Sequence, residues 1–457
     1  MVVKYSMNTF LKRKAYDALV EWKAQSNGKT AILIEGARRV GKSTVAEEFA
    51  KASYDDYLLL DFAKENTAIR ENFENIGTPD VFFRNLFLLK GKELPKRKAA
   101  IIFDEVQLFP PARQAIKALV ADGRYDYIET GSLISIKKNV ADILIPSEER
   151  KLKMYPMDFE EFLWAIGDAV TFSAIGQAFD DRRPLDEAVH RKILTTYRSY
   201  LAVGGMPQAV VEYVNGASYQ TIDSVKRDIL ALYCDDLEKY DGEERARAAA
   251  VFRSIPSQLS HHNSRFRYSE IGENARASNT ASALAFLGTS MMANLCLNVT
   301  APEAALELYA DPAAFKLYMG DTGLLVSQIM QGSPEVGDAI YKNLVTGKLG
   351  VNLGMVMENA VAQALVATGH KLYFHSFEYK PEDAKKPSLY EIDFLTVRGK
   401  RVCPIEVKSS GYRSHKSFDY FKEKYKLKMN ERFIVYSKNL TKEGDITFIP
   451  FYMASCL

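Results

Sequence analysis

The sequence predicts a multidomain α/β protein: a parallel-sheet phosphate-loop domain first, a helical middle, and a second α/β domain towards the C-terminal end. Three observations carry this. The apolar run Ile32-Leu33-Ile34-Glu35 leads into Gly36-Ala37-Arg38-Arg39-Val40-Gly41-Lys42-Ser43-Thr44 and then into a helical pattern with Ala46, Phe49 and Ala50 on one face. A second apolar run, Ala99-Ala100-Ile101-Ile102-Phe103, ends in Asp104-Glu105, as a central parallel strand does at its functional end. A third stretch, Tyr390 to Lys408, alternates as a β-hairpin and carries Asp393, Glu406 and Lys408.

The chain has 457 residues, too many for one ordinary core, so two to four domains are expected. With 47% hydrophobic and 26% charged residues it reads as a folded chain, and its net charge of +2 points to no particular partner. Cys234, Cys296, Cys403 and Cys456 lack metal-ligand spacing and read as reduced, mostly buried thiols of a cytoplasmic protein. The basic segment Phe10-Leu11-Lys12-Arg13-Lys14 is followed by no apolar stretch of a secretory signal, and no apolar run is long enough for a bilayer. No membrane partner is expected.

In chain order, residues 9–25 suggest an amphipathic helix through Phe10, Leu11, Ala15, Leu19 and Trp22. Strands follow at Ile32–Ile34, Tyr57–Asp61, Ala99–Asp104 and Tyr125–Ser132, alternating with helical patterns, which assigns residues 1–165 to the first α/β domain. Helical patterns at Arg191–Leu201 and Ser224–Tyr240 make 166–244 a helical lid region. Between 245 and 330, helix signals precede the apolar segment Cys296–Val299, and three helices followed by a strand pair suit a winged-helix module. Gln331–Gly350 is the linker candidate, and 331–457 returns to α/β with a helix through Met357, Val361, Leu365 and Val366.

Residues 36–43 fit G-x-x-x-x-G-K-[ST], the loop whose main-chain amides surround nucleotide phosphates. Gly36 and Gly41 allow the backbone to come close, Lys42 reaches the β- and γ-phosphates, and the Ser43 hydroxyl takes a Mg²⁺ position. A helix beginning near Lys42 aims its positive end at the same anion. The expected ligands are therefore ATP and Mg²⁺, with Ala37, Arg38, Arg39, Val40 and Thr44 completing the loop. Asp104 is placed to hold the metal and Glu105 to polarise the attacking water. Thr130 and Ser132 are candidate γ-phosphate sensors, or simply a polar turn. The sequence singles out no arginine finger.

Several separate segments then agree in order: residues 36–43, Asp104-Glu105-Val106-Gln107, Glu129-Thr130-Gly131-Ser132, Tyr155-Pro156-Met157-Asp158-Phe159-Glu160-Glu161-Phe162, Gly204-Gly205-Met206-Pro207 and Tyr318-Met319-Gly320-Asp321-Thr322-Gly323-Leu324-Leu325. Together they resemble the prokaryotic ATP-binding proteins that join an AAA+-type ATPase domain to a C-terminal DUF4143 region. The resemblance implies a STAND- or AAA+-like core, a helical and winged-helix middle, and a C-terminal domain of restriction-endonuclease-like fold.

The C-terminal hairpin supports a second constellation from its residues. With Arg398-Gly399-Lys400-Arg401 as the turn, Val397 pairs with Val402, and counting back places Asp393 across from Glu406. Lys408 lies on the same face, and Glu358, on the preceding helix, offers a further oxygen. The order Glu, Asp, Glu-x-Lys resembles the PD-(D/E)xK nuclease core, which would clamp a second Mg²⁺ or a Mn²⁺ against a phosphodiester. A solvated strand face is the plain alternative. From Lys371 to Arg432 there are 15 Lys and Arg against 9 Asp and Glu, with Tyr412, Phe418, Tyr420 and Phe421 set among Arg413, Lys416, Lys422 and Lys424. That mixture suits a DNA backbone, although the aromatics alone read better as helix core.

His261-His262 lacks partners at ligand spacing, Gly204–Pro207 reads as a tight turn against the ATPase core, and Met291-Met292 as core filling. The leading expectation is an ATPase switch or motor acting on nucleic acid. Two alternatives stand beside it: a nucleotide-gated scaffold that binds a protein partner through an inactive nuclease-like fold, and an ATP-controlled metal-dependent nuclease. Monomer and homo-oligomer are both open.

Overall fold

A computed structural model describes residues 11–132, 147–238, 243–261, 266–272, 275–330, 341–348, 353–382, 385–410, 415–426 and 431–457. The chain divides into two compact units, one essentially the first 156 residues and the other the remainder.

The first unit is built on a five-stranded, all-parallel sheet. Its strands are β1 (Ala31–Glu35), β2 (Asp56–Asp61), β3 (Ala99–Asp104), β4 (Asp126–Gly131) and β5 (Glu149–Lys153), in the order β2-β3-β4-β1-β5. Helices α1 (Lys14–Ser26), α2 (Lys42–Ser53), α3 (Thr67–Asn72), α4 (Pro79–Lys90) and α5 (Pro110–Asp122) connect and cover it. All five β1 residues are buried, as a continuous apolar run covered on both faces requires. One face carries Leu33, Leu60, Phe103 and Tyr127 into a core with Phe62, Phe73, Phe82 and Ile116. Helix α2 buries the anticipated Ala46, Phe49 and Ala50, together with Val45. The sequence reading found four of the five strands. It missed β5, Glu149-Arg-Lys-Leu-Lys, because an edge strand with exposed charges shows no apolar pattern.

In the second unit, helices α6 (Phe159–Ala165), α7 (Thr171–Asp180), α8 (Glu187–Val203), α9 (Pro207–Val214), α10 (Tyr219–Glu238), α11 (Glu243–Ser260), α12 (Ala277–Thr289) and α13 (Thr322–Ile329) precede α14 (Leu353–Ala367) and α15 (Lys416–Tyr425). Asp158 caps α6 in a reciprocal box with Glu161. The strands β6 (Ala293–Val299), β7 (Ala310–Met319), β8 (Leu372–Tyr379), β9 (Ser388–Arg398), β10 (Arg401–Val407), β11 (Arg432–Tyr436), β12 (Thr441–Glu443) and β13 (Ile446–Pro450) form one mixed sheet, ordered β12-β13-β11-β10-β9-β8-β6-β7.

That order changes the reading of residues 245–330. The strand pair expected as a wing, β6–β7, is no separate module: β6 pairs in parallel with β8, so the hairpin extends the C-terminal sheet across the expected boundary at 330. Most of the proposed linker, 331–350, lies outside the described residues.

The Gly204–Pro207 turn is tight, as expected, but it packs within the second unit. Gly204 has φ +85°, and a Cβ there would lie 2.4 Å from Asp321 Oδ1. The Gly205 amide donates to Asp321 Oδ2 at 2.6 Å, and the Met157 amide donates to the Gly205 carbonyl at 2.7 Å. Asp321 Oδ1 also caps α13 by accepting from the Leu324 amide. Asn359 and Gln363 of α14 hold Met319 and Thr322 from the other side. Three of the segments that carry the family resemblance thus form one buried polar junction. No helix among the described residues is long and apolar enough to cross a membrane.

Candidate functional site

The loop after β1 follows from parallel-sheet geometry: a strand ends, and α2 starts over the same edge. Gly41 is the N-cap at φ +95°, and no side chain caps α2, which leaves its first amides facing the loop. A Cβ on Gly36 would lie 2.3 Å from the Met154 carbonyl, so only glycine fits there. Arg39, exposed, also adopts a positive φ of 68°. Arg13 braces the loop, its guanidinium donating to the carbonyls of Val40 and Tyr155 at 2.7 Å each. Sequence reading did not find Arg13, which lies 27 positions from its contact in the loop.

Lys42 is buried, and its Nζ donates to the carbonyls of Gly36 (3.2 Å) and Ala37 (3.0 Å). The ammonium therefore closes the loop upon itself. Burial lowers its pKa, while Glu105 and Asp104 act in the opposite direction.

Because β4 stands between β1 and β3, its end brings Thr130 beside Asp104. Ser43 Oγ donates to Asp104 Oδ1 at 2.6 Å, and Thr130 Oγ1 donates to the same oxygen. Glu105 adopts the left-handed conformation, φ 54°, and its amide donates to Thr130 Oγ1 at 3.2 Å. Gln107 Nε2 donates to Glu105 Oε2 and, at 3.4 Å, to Ser132 Oγ. Lys42, Ser43, Asp104, Glu105, Thr130 and Ser132 are thus gathered at one end of the sheet, and Gln107 joins Glu105 to Ser132.

The second candidate site lies in the other unit. Strands β9 and β10 pair with Val402 opposite Val397, as expected, through a two-residue turn with Gly399 at φ +64°. The ladder runs to Ile405 opposite Phe394, and Asp393 Oδ2 accepts from the Val407 amide at 2.7 Å. Glu358, Asp393, Glu406 and Lys408 all line a cavity of about 270 Å³. Lys408 pairs with Glu406 Oε1, and Glu406 Oε2 is buried without a hydrogen-bond partner among the described residues. Burial, with Glu358 next, raises the Asp393 pKa far above the carboxylate range, and burial raises that of Glu406.

Two further charged residues line this cavity: Glu391 on β9 and Lys316 on β7. Among the described residues no group of three or more His, Cys, Asp or Glu side chains is arranged to hold a metal ion. The aromatics noted around residue 420 belong to the core: Phe418 and Phe421 are buried, and Tyr420 stacks on Tyr379 with ring centres 4.8 Å apart. Tyr412 and Arg413 lie outside the described residues. His261 pairs with Glu270 at 2.9 Å, and His262 lies outside the described residues.

Residues 28–163 match the family profile described as an AAA domain. The first unit carries an AAA-type ATPase domain. Residues 353–453 match DUF4143 and residues 194–335 match DUF8612, both described as domains of unknown function. No curated protein matches the chain. Among solved structures, a Walker-type ATPase of Pyrococcus abyssi is similar at 16% identity and a TM-score of 0.41, covering 71% of this chain and 98% of that one. Cdc6p from Pyrobaculum aerophilum aligns at 11% identity and a TM-score of 0.25, over 75% of this chain and 97% of that one. AMPPCP-bound DnaA from Aquifex aeolicus aligns at 10% identity and a TM-score of 0.27, over 62% and 90%. The AAA match spans the phosphate loop, Asp104-Glu105 and Thr130-Gly131-Ser132, and the DUF4143 match spans Glu358, Asp393, Glu406 and Lys408.

Proposed function

We propose that the chain is an ATP-dependent switch. Its AAA domain binds and hydrolyses ATP·Mg²⁺, and the nucleotide state is passed to the attached helical and C-terminal regions, which engage nucleic acid. The observation that carries this reading is the convergence of Lys42, Ser43, Asp104, Glu105 and Thr130 at the end of β1, β3 and β4.

Main-chain amides from Gly36 to Thr44 hold the phosphates in this reading. Lys42 exchanges two carbonyl oxygens for β- and γ-phosphate oxygens, a better partner for a buried ammonium. Ser43 Oγ and Asp104 Oδ1, 2.6 Å apart, are the hard oxygen donors suited to Mg²⁺. Magnesium, when bound, supplies charge neutralisation at the transferred phosphoryl group. Thr130 holds Asp104 in place and fixes the Glu105 amide, so that the Glu105 carboxylate, steadied by Gln107, orients a water and accepts its proton. Thr130 and Ser132 report γ-phosphate occupancy to β4.

The nucleic-acid part rests on the excess of Lys and Arg between residues 371 and 432. The position of Lys316 among the C-terminal carboxylates favours a second reading, in which that region is a non-cleaving surface for a protein partner. ATPase rate measured with and without single- and double-stranded DNA separates the two. Stimulation by DNA, lost in Glu105→Gln while ATP binding stays, supports the first reading. A DNA-independent rate contradicts the nucleic-acid part, and an unchanged rate in Glu105→Gln removes Glu105 from its role.

A further inference from the structure

The C-terminal cavity brings four carboxyl groups, Glu358, Glu391, Asp393 and Glu406, together with two ammonium groups, Lys316 and Lys408. Lys316 comes from β7, the edge of the sheet, three strands from β9. In a flat sheet that separation is roughly 14 Å, so the lysine and glutamate side chains must both extend to meet. Register shifts at Leu297/Asn298 and Tyr373/His375 interrupt the ladders between, and Tyr318 meets Phe394 with ring centres 5.6 Å apart.

Lys316 Nζ lies 3.1 Å from Glu358 Oε1 and 2.5 Å from Glu391 Oε1. The Tyr318 hydroxyl donates to the same Glu358 oxygen. The Lys316 side chain is only 12% exposed. Burial works against its charge, but Glu358, Glu391 and Asp393 outweigh that and hold its pKa well above the usual lysine value. Of the other two carboxyls, Asp393 accepts from the Val407 amide, and Glu406 pairs with Lys408 through one oxygen while its second has no partner among the described residues. A metal-dependent nuclease needs acid oxygens converging on an ion at about 2.0–2.2 Å. In this cavity one oxygen of Glu358 and one of Glu391 meet an ammonium group instead.

We propose that Lys316 is the resident cation of the C-terminal cavity: its ammonium gathers Glu358 and Glu391 where a divalent metal would otherwise sit, and the cavity keeps its form without metal. Lys316 is a positioning residue in this account. The phosphate loop plays no part in this cation's role.

The test titrates Mn²⁺ into the nucleotide-free full-length chain carrying Asp104→Asn, which removes the metal-holding carboxylate of the AAA domain. Loss of the free Mn²⁺ EPR signal reports binding. The parent takes up no Mn²⁺ up to about 1 mM, a weak limit for carboxylate sites. Adding Lys316→Met creates one Mn²⁺ site per chain, Glu358→Gln on top removes it, and Lys316→Arg stays without metal. A parent that binds one Mn²⁺ through Glu358 or Asp393 overturns the proposal, as does a folded Lys316→Met chain that binds none. If Lys316→Met does not fold, the parent titration decides: uptake abolished by Glu358→Gln refutes the proposal, and no uptake upholds it.

Discussion

Glu129 sits at the centre of β4, opposite Phe103 on one side and Leu33 on the other, and is fully buried. Neither of its carboxylate oxygens meets a donor among the described residues. The adjacent carboxylate is Glu149, which accepts two bonds from the Arg113 guanidinium, of 2.7 and 2.8 Å. Burial first, and Glu149 next, push the Glu129 pKa well above 4.5, so the folded chain keeps Glu129 as an acid that can donate to Glu149. The unfolded chain releases that proton near pH 4.5. Between the unfolded and folded pKa values the folded state binds more protons than the unfolded one, and stability therefore falls as pH rises. The slope for one proton is about 1.4 kcal/mol per pH unit. For a domain of this size that is about 3–6 °C in Tm per pH unit. Glu129→Gln keeps the shape and donates to Glu149 at every pH, which removes the slope and makes the variant the more stable at pH 7. Thermal unfolding of both proteins from pH 5 to 8 measures it. Parallel Tm curves for wild type and variant would refute the assignment of a buried, protonated Glu129.

Three other substitutions test other parts of the structure. Lys42→Ala removes the ammonium from the phosphate loop and weakens binding of a fluorescent ATP analogue by at least about tenfold, with the fold retained by circular dichroism; undiminished binding contradicts the loop assignment. Gly204→Ala places a Cβ 2.4 Å from Asp321 Oδ1 at φ +85°, and the second unit loses about 1–3 kcal/mol or more, read as a lower urea midpoint. Lys226, fully buried, donates to the carbonyls of Ala202 and Gly323 and to the Tyr341 hydroxyl, and burial brings its pKa down to about 8 from 10.5. The unfolded chain then binds the extra proton between these values, and this group's contribution makes stability rise by about 3 kcal/mol across that window. Lys226→Met should flatten that rise, and an unaltered pH profile would show that Lys226 does not titrate as described.

The AAA domain was legible because its signals are contiguous. A phosphate loop needs its glycines, lysine and serine within eight positions, and Asp104-Glu105 follows its own apolar strand. The β9–β10 register was legible for a similar reason: a short turn fixes which residues face each other. The charged edge strand β5 left no pattern to read, and the wing of the expected winged-helix module proved to be part of another sheet.

Sequence alone determined where the glycine-rich loop lies, which strand carries the acidic pair and how the C-terminal hairpin aligns, since each depends on neighbours a few positions apart. Tertiary structure decided that Arg13 braces that loop, that Glu129 faces Glu149, and that Lys316 stands among the C-terminal carboxylates. Those contacts join residues 20 to 75 positions apart through strand order and burial, neither of which leaves a periodic trace in the chain.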